Sequence, residues 1–426
     1  MLKAALTAPL VLTAGCGMDD DALTFLFGAR PEEARVRLKI IKEFRKRRPD
    51  IAIRTVISGP DSLQQVLTYC AGGRCPDILM AWELLYAGLA ERGVLVDLNT
   101  LLARDPQFAA QLRGDSFSHL SEVFMFEGGQ YALPEQWSGV FLYYNRRLFR
   151  EAGVPLPPAR WSEAWSFAEF LDTARALTRR DSTGRTTQWG LVDAWVPYFS
   201  ATCFGMNNGA QWFSPPVAPT HTNLADARFT EGLQFYADLS VRHRVAPKTA
   251  DQQSISANDL FARGRAAMLL GGHWLYSEFA DQDDVELDVT VLPVGPRGGP
   301  GAITDIGSTG LAIAASSPRI EEAWEFVKFA TGPVGQALIA ESGLFVPVLK
   351  SAMRSPGFAA AHPSIRNLEV LTDGPAHCWL MPVTPVWGKV ESLIERSFNR
   401  VLRGVVTAEN MAGPVAADID VLLKAR

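Results

Sequence analysis

The sequence predicts an α/β protein built from two lobes. Its 426 residues exceed what one ordinary hydrophobic core accommodates, which indicates two domains. The predicted strands 23–27, 51–57 and 76–80 alternate with predicted helices, and this alternation is typical of a parallel sheet. The net charge of −5 does not favour a nucleic-acid partner.

An apolar strand that ends in aromatic residues predicts a ligand site. The strand Ala266–Leu270 stops at the double glycine Gly271–Gly272, and Trp274 and Tyr276 follow directly. Ligands of open α/β sheets bind beyond the carboxyl ends of the strands. We therefore expect Trp274 and Tyr276 at the rim of such a site.

The same stretch, Phe261–Tyr276, resembles the "F..GKAAM...G.W" signature of the family 1 extracellular solute-binding proteins, the maltose-binding-protein-like receptors of ABC importers. Further segments along the chain resemble the family in the right order, although Ser342–Pro347 departs slightly from its pattern. They include Pro76–Leu79, Gly128–Pro134, Asp305–Ile313 and Ser342–Pro347. The likeness spans nearly the whole chain, and the ordered series is more specific than any single motif.

The resemblance implies a class II periplasmic-binding-protein fold, maltose-binding-protein-like, with a hinge of three crossing segments. The crossings are expected directly after Pro134, at 289–293 and at 342–347. The expected lobes are discontinuous in sequence: an N-lobe of 21–136 plus 294–345, and a C-lobe of 137–293 plus 346–426.

Residues 1–16 are predicted to direct export. A short basic start precedes the apolar segment Ala4–Ala14, which is too short to span a bilayer. Thr13-Ala-Gly-Cys16 resembles a lipobox, although Thr13 stands where leucine is usual. We expect a periplasmic or cell-surface protein that meets the membrane only through a lipid on Cys16. The alternative is a plain or truncated secretory signal with a free Cys16.

The other four cysteines suggest disulfides, because exported proteins meet an oxidising compartment. Cys70 and Cys75 flank a flexible Ala-Gly-Gly-Arg loop and are predicted to pair. Cys203 and Cys378 either close a second bridge or remain buried thiols. No Cys/His spacing fits zinc, and neither a metal nor a cofactor is predicted.

Candidate ligand residues in the N-lobe follow predicted strands. Trp82 and Glu83 lie directly after the third strand. Farther along, four polar or aromatic residues interrupt an apolar run, which is expected at functional sites. These four are Glu135, Gln136, Trp137 and Ser138, and the alternative for them is a β-bulge with solvated side chains.

The remaining candidates come from later strand ends and from the resemblance. Asp193, Trp195 and Tyr198 follow the strand that begins at Trp189. The backbone of Gly307 and the hydroxyl of Ser308 are also expected to reach a ligand. In the maltose-binding branch a tryptophan of the C-terminal region stacks on sugar, and Trp387 is the candidate here, with core packing as the alternative.

The predicted ligand is a sugar or oligosaccharide. Sugars have apolar CH faces and hydroxylated edges, so their sites need aromatic rings together with carboxylates and amides. The expected rings are Trp82, Trp137, Trp274 and Trp387. The expected hydrogen-bonding groups are Glu83, Glu135, Gln136 and Asp305. The expected partners are the transmembrane subunits of an ABC permease, and the receptor is expected to be a monomer.

Three alternatives stay open. A glycerol phosphate or sugar phosphate would be bound through Arg30. An amino sugar would suit an acidic cleft. A glycoside-acting enzyme would also use two carboxylates, but the sequence has no recognisable catalytic motif.

Overall fold

A computed structural model describes residues 21–58, 63–248 and 255–425. Cys16 lies outside these residues. Within them, no helix is long and apolar enough to cross a membrane.

The strands, in chain order, are β1 (Leu23–Gly28), β2 (Ile53–Ser58), β3 (Ile78–Trp82), β4 (Met125–Phe126), β5 (Gly129–Gln130), β6 (Leu133–Ser138), β7 (Val140–Asn145), β8 (Arg179–Arg180), β9 (Thr186–Asp193), β10 (Phe213–Ser214), β11 (His221–Thr222), β12 (Ala266–Gly272), β13 (Leu287–Thr290), β14 (Thr304–Asp305), β15 (Gly307–Ile313) and β16 (Cys378–Trp379). The α-helices are α1 (Pro31–Arg47), α2 (Leu63–Ala71), α3 (Tyr86–Glu91), α4 (Asn99–Arg104), α5 (Pro106–Asp115), α6 (Ser118–Glu122), α7 (Arg146–Ala152), α8 (Phe167–Leu177), α9 (Pro197–Asn207), α10 (Ala227–Val241), α11 (Ala257–Ala262), α12 (Tyr276–Phe279), α13 (Ile320–Thr331), α14 (Pro333–Ala340), α15 (Lys350–Met353), α16 (Pro356–Ala360), α17 (Glu369–Thr372), α18 (Trp387–Leu402) and α19 (Ala408–Lys424).

Each lobe is built on a five-stranded sheet. The N-lobe sheet has the order β2-β1-β3-β15-β6, with β1 parallel to β2 and β3 and with β15 antiparallel to its neighbours. The C-lobe sheet has the order β13-β7-β12-β9-β8, in which β12 and β9 run parallel. The predicted alternation of strands and helices is confirmed. Apart from the β8–β9 hairpin, the antiparallel pairs of the two sheets arise where the chain returns from the other lobe.

The first crossing between the lobes occurs at Gly139. β6 pairs with β15 as far as Ser138, and β7 pairs with β12 from Val140 onwards. Trp137 and Ser138 therefore belong to the N-lobe sheet, and the expected boundary after residue 136 is about two residues too early. A Cβ at position 139 would lie 2.6 Å from Thr304 Oγ1, so glycine is required where the first two crossings meet.

The second and third crossings complete the hinge. The second runs from β13 to β15, and its short strand β14 pairs with β16 near the C-terminal helices. The third begins at Val346, which bridges to Trp137. It has reached the C-lobe by Asn367, whose side-chain amide donates to the hydroxyl of Tyr144 at 3.2 Å and to the carbonyl of Val289 at 3.0 Å.

The cysteines have separate roles. Cys70 and Cys75 form a disulfide, as the sequence predicts. Cys203 and Cys378 are free thiols, so the structure has the second of the two alternatives for this pair. The Sγ of Cys378 lies 3.4 Å from the carbonyl oxygen of Asp305 and donates to it, which places this thiol beside the second crossing.

Replacing Gly139 with alanine is expected to destabilise the protein, because the new methyl group overlaps the Thr304 side chain. Overpacking of this kind costs about 1–3 kcal/mol. The measurement is the urea midpoint of unfolding. The matched control is Gly114→Ala in α5, where nothing lies within 4 Å of the added Cβ and a helical alanine is favoured. Equal midpoints for the two variants would contradict the hinge packing described above.

Candidate functional site

Two carboxyl groups lie together where β3 ends and the second crossing passes. The carboxylate of Asp305 accepts the Val140 N–H at 2.8 Å and the Thr304 hydroxyl at 3.2 Å, and Asp305 is only 6% exposed. Glu83 directly follows β3, and the backbone N–H of Ser308 donates to its carboxyl group. Glu83 keeps partial solvent access, as expected of a group on the floor of a cleft.

Burial changes the protonation of both acids. Removal from water raises the pKa of Glu83 to about 8, and the negative charge of Asp305 adds to this shift. Burial also raises the pKa of Asp305 to about 6, although hydrogen bonds from Val140 and Thr304 partly offset the effect. At neutral pH the pair therefore holds one proton and one negative charge. Such a pair can both donate to and accept from a hydroxyl group.

The facing wall comes from α9 and α18 of the C-lobe. The Tyr198 hydroxyl donates a hydrogen bond to the carboxylate of Glu391. Burial, together with the charges of Glu391 and Glu83, raises the pKa of the Tyr198 phenol far above its usual range. Glu83 belongs to the N-lobe and its charge acts on Tyr198 of the C-lobe, so these two side chains lie near each other across the lobe boundary.

Aromatic rings form a second part of this wall. The ring centroids of Trp195 and Trp274 lie 4.5 Å apart, and both side chains remain partly exposed. Trp274 lies directly over Gly272, where an added Cβ would come within 1.9 Å of the indole ring. Because Gly272 has no side chain, the Trp274 ring can lie across the end of β12, close to the position that the sequence predicts.

An ion pair joins the two lobes. Arg30, which precedes α1 in the N-lobe, places Nη1 2.8 Å from the Oε1 of Glu278 in α12 of the C-lobe. The side-chain amide of Asn258 also donates to Glu278. This contact crosses from one lobe to the other, and it occupies the guanidinium that was expected to bind a phosphate.

Glu135 is not available to a ligand, and the expectation for it is wrong. Its side chain is buried and accepts two hydrogen bonds from Arg37 of α1, at 2.7 and 3.2 Å. Gln136 donates to the hydroxyl of Thr309 at 3.0 Å, and Ser138 accepts the backbone N–H of His273 at 2.8 Å. The polar interruption of β6 thus serves interactions within the protein.

Trp137 and Trp387 are wrong as ligand-stacking rings, because both are fully buried. Trp137 packs against Phe141 with ring centroids 5.7 Å apart. Trp387 makes an edge contact with Trp212 at 5.6 Å. Trp387 opens α18, and Glu391, one turn later, is the residue of this helix that contacts Tyr198. Sequence analysis missed Glu391, although its spacing of four residues from Trp387 was a usable signal.

Two other candidates, Asp193 and Tyr276, have supporting roles. The carboxylate of Asp193 accepts the Trp195 N–H at 2.8 Å and the Tyr236 hydroxyl, so it positions the Trp195 loop. Tyr276 is 3% exposed and its hydroxyl lies 3.0 Å from that of Ser364, so it is not at the rim as expected.

The last three candidates lie on or near the N-lobe sheet. The Ser308 hydroxyl donates to the Gln136 carbonyl at 2.8 Å, so only its backbone N–H faces Glu83. At Gly307 an added Cβ would lie 2.8 Å from the Ser138 carbonyl oxygen, so the glycine permits close strand packing. Trp82 remains partly exposed and packs against the hydrophobic core of the N-lobe. Among the described residues, no group of three or more His, Cys, Asp or Glu could hold a metal ion.

These features define a two-lobed solute receptor: it has two α/β lobes, three hinge crossings, and a cleft with aromatic and carboxyl groups. The chain belongs to the bacterial extracellular solute-binding protein family, whose model matches residues 31–337. The protein is therefore an exported solute-binding protein and not an enzyme.

Individual relatives agree with this membership. The chain is 24% identical over 400 residues to the mannitol-binding protein of Pseudomonas aeruginosa, covering 89% of this chain and 86% of that protein. The ABC substrate-binding protein Lmo0181 from Listeria monocytogenes, solved with cycloalternan, superimposes with a TM-score of 0.82 at 25% identity, covering 95% and 99% of the two chains. UgpB from Mycobacterium tuberculosis, solved with glycerophosphocholine, has a TM-score of 0.79 at 19% identity, covering 95% and 98%, and shares the fold.

Replacing Glu83 with glutamine is expected to change how stability depends on pH. The folded protein raises the pKa of Glu83 from 4.5 to about 8, so this group stabilises the fold fully below pH 4.5. That contribution is lost as the pH rises through about 8. The melting temperature of the wild type, measured relative to that of Glu83→Gln, should therefore fall as the pH rises from about 4.5 to about 8. The control is Glu409→Gln, at an exposed position, and a Glu83→Gln profile parallel to the wild type would contradict the assignment.

Replacing Glu135 with glutamine is expected to destabilise the fold by about 3–5 kcal/mol, because Arg37 is left as an unpaired buried charge. The free energy of unfolding in urea measures this loss. The same change at Glu151, whose pair with Arg147 is solvent-exposed, should cost under about 1 kcal/mol. If Glu135→Gln lost little free energy of unfolding but bound its ligand more weakly, Glu135 would be a ligand-binding residue, as the sequence predicted.

Proposed function

We propose that this protein binds a neutral sugar or oligosaccharide between its lobes and delivers it to the transmembrane subunits of an ABC permease. The observation that carries the proposal is the meeting of groups from both lobes. Glu83 comes from the N-lobe, Trp274 and Glu391 from the C-lobe, and Asp305 from the hinge. The mannitol-binding relative and the cycloalternan complex support a polyhydroxylated ligand.

The chemistry of these groups suits a sugar. Trp195 and Trp274 offer partly exposed aromatic surface to the apolar CH face of a pyranose or a polyol. The Glu83–Asp305 pair and Glu391 offer hydrogen-bonding groups to hydroxyl groups at the edge. A buried polar group that is left unpaired costs about 1–3 kcal/mol, so a hydroxyl of the wrong stereochemistry would be rejected.

Closure of the lobes completes the binding cycle in this proposal. The ion pair between Arg30 and Glu278 joins the lobes in the closed form and has to separate when the ligand leaves. The receptor acts as a monomer attached to the membrane through Cys16. Its lobes follow the boundaries expected from the sequence, with the first crossing moved to Gly139.

An amino sugar is the second candidate, and the Glu83–Asp305 pair favours it because an ammonium group would be attracted to these acids. A phosphorylated solute, as in the UgpB complex, fits less well. The guanidinium of Arg30 is already paired with Glu33 and Glu278. The same acids in the cleft would repel a phosphate.

A thermal-shift screen tests the proposal with mannitol, maltotriose, glucosamine and glycerol phosphate as probes. We expect a neutral sugar to raise the melting temperature and to be recovered unchanged, since a ligand that binds only the folded state stabilises it. Trp274→Ala should weaken binding of that sugar by about tenfold or more, because truncating a packed aromatic costs at least ~1.4 kcal/mol. The control is Trp165→Ala, a partly exposed tryptophan that packs on Phe170 instead.

Three outcomes would count against the proposal. Stabilisation by glycerol phosphate alone would favour a phosphorylated ligand, and stabilisation by glucosamine alone would favour an amino sugar. Equal loss of affinity in the two tryptophan variants would remove Trp274 from the site.

A further inference from the structure

Two buried histidines meet at the hinge. The Nε2 atoms of His273 and His362 lie 2.9 Å apart, and the side chains are 0% and 2% exposed. His273 directly follows β12 of the C-lobe, whereas His362 belongs to the segment that follows the third crossing. The pair therefore ties the third crossing to the end of the strand that carries Trp274.

The hydrogen bonds around the pair determine where its protons lie. The Nδ1 of His362 lies 2.6 Å from the Phe358 carbonyl oxygen, which can only accept, so this nitrogen carries a hydrogen. In a neutral ring the Nε2 of His362 is then an acceptor, and the Nε2 of His273 must donate to it. The Nδ1 of His273 accordingly accepts from the Tyr143 hydroxyl, 3.3 Å away. All of these bonds are satisfied when both rings are neutral.

Among the described residues, no carboxylate pairs with either ring. The ionisable groups that face the rings in this part of the chain are the phenols of Tyr143, on β7, and of Tyr276, which stacks on His273 and makes a tilted contact with His362. The negative charge of Asp281 acts on the Tyr276 phenol. Burial and the neighbouring His362 hold the pKa of His273 well below its usual range, and burial lowers the pKa of His362.

We propose that the His273–His362 pair is a proton-binding site that makes closure of the hinge sensitive to the acidity outside the cell. A buried cation without an anion favours conformations in which the rings are hydrated. The third crossing then separates from β12. The hydrogen bond from the His273 backbone to Ser138 connects this separation to the first crossing. Trp274, the residue after His273, connects it to the cleft.

The lowered pKa values of His273 and His362 determine the direction in which pH shifts the closure of the hinge. The neutral pair stabilises the closed hinge fully above pH ~6.5, the ordinary value for a hydrated histidine. The stabilisation is lost progressively as the pH falls below that value. Each ring that takes up a proton only on opening shifts the equilibrium by up to about tenfold per pH unit.

The first test is a titration of the wild-type protein by NMR of its six histidine rings, together with small-angle X-ray scattering. We expect the His273 and His362 rings to stay neutral at a pH where a free imidazole, with a pKa of about 6.5, is already protonated. We also expect the radius of gyration to rise once these two rings take up protons. Titration of all six rings in the ordinary range would overturn the proposal, and so would protonation of the pair without expansion.

The second test compares variants. His273→Gln combined with His362→Gln removes both titrating groups, and His221→Gln is the control. The melting temperatures of the wild type and of His221→Gln, each measured relative to that of the double variant, should fall as the pH is lowered from about 7.5 to about 5. Parallel profiles would overturn the proposal. If the double variant fails to fold, the wild-type titration alone decides.

Discussion

The close contact between Gly139 and Thr304 is the constraint on which the cleft depends. Because residue 139 has no side chain, the first two crossings pass near enough to exchange hydrogen bonds. Thr304 donates to the Val140 carbonyl at 2.9 Å, and Val140 donates to the Asp305 carboxylate at 2.8 Å. These bonds fix Asp305 beside Glu83. The packing of the hinge therefore also positions the carboxyl groups on the floor of the cleft.

Placing the carboxyl groups of Glu83 and Asp305 together at the hinge has an energetic cost, which is accounted for by their use in ligand binding. Two acids placed together away from water cannot both ionise easily, and the raised pKa of Glu83 expresses that cost. A hydrophobic pair would stabilise the protein more. The acids are useful only when a ligand with hydroxyl or ammonium groups enters, and this agrees with membership of a family that holds solutes between lobes.

The fold could be predicted from sequence because its signals are local and ordered. Strand and helix alternation, the glycines that end β12 and the ordered family segments each depend on neighbouring residues. Much of the site could not be predicted, since it depends on distant partners. Glu135 was assigned to a ligand because Arg37, 98 residues earlier, gave no sign that it would be buried. Trp387 was a candidate through the family resemblance, with core packing as the alternative, and nothing near it in the sequence revealed the packing against Trp212.

The crystal structure of the sugar complex would test the central claim most directly. The account predicts density for an intact sugar between the lobes, with hydroxyl groups near Glu83 and Asp305 on one side and the ring of Trp274 and the carboxylate of Glu391 on the other. Density for the sugar at any other surface, or for a cleaved product in the cleft, would contradict it.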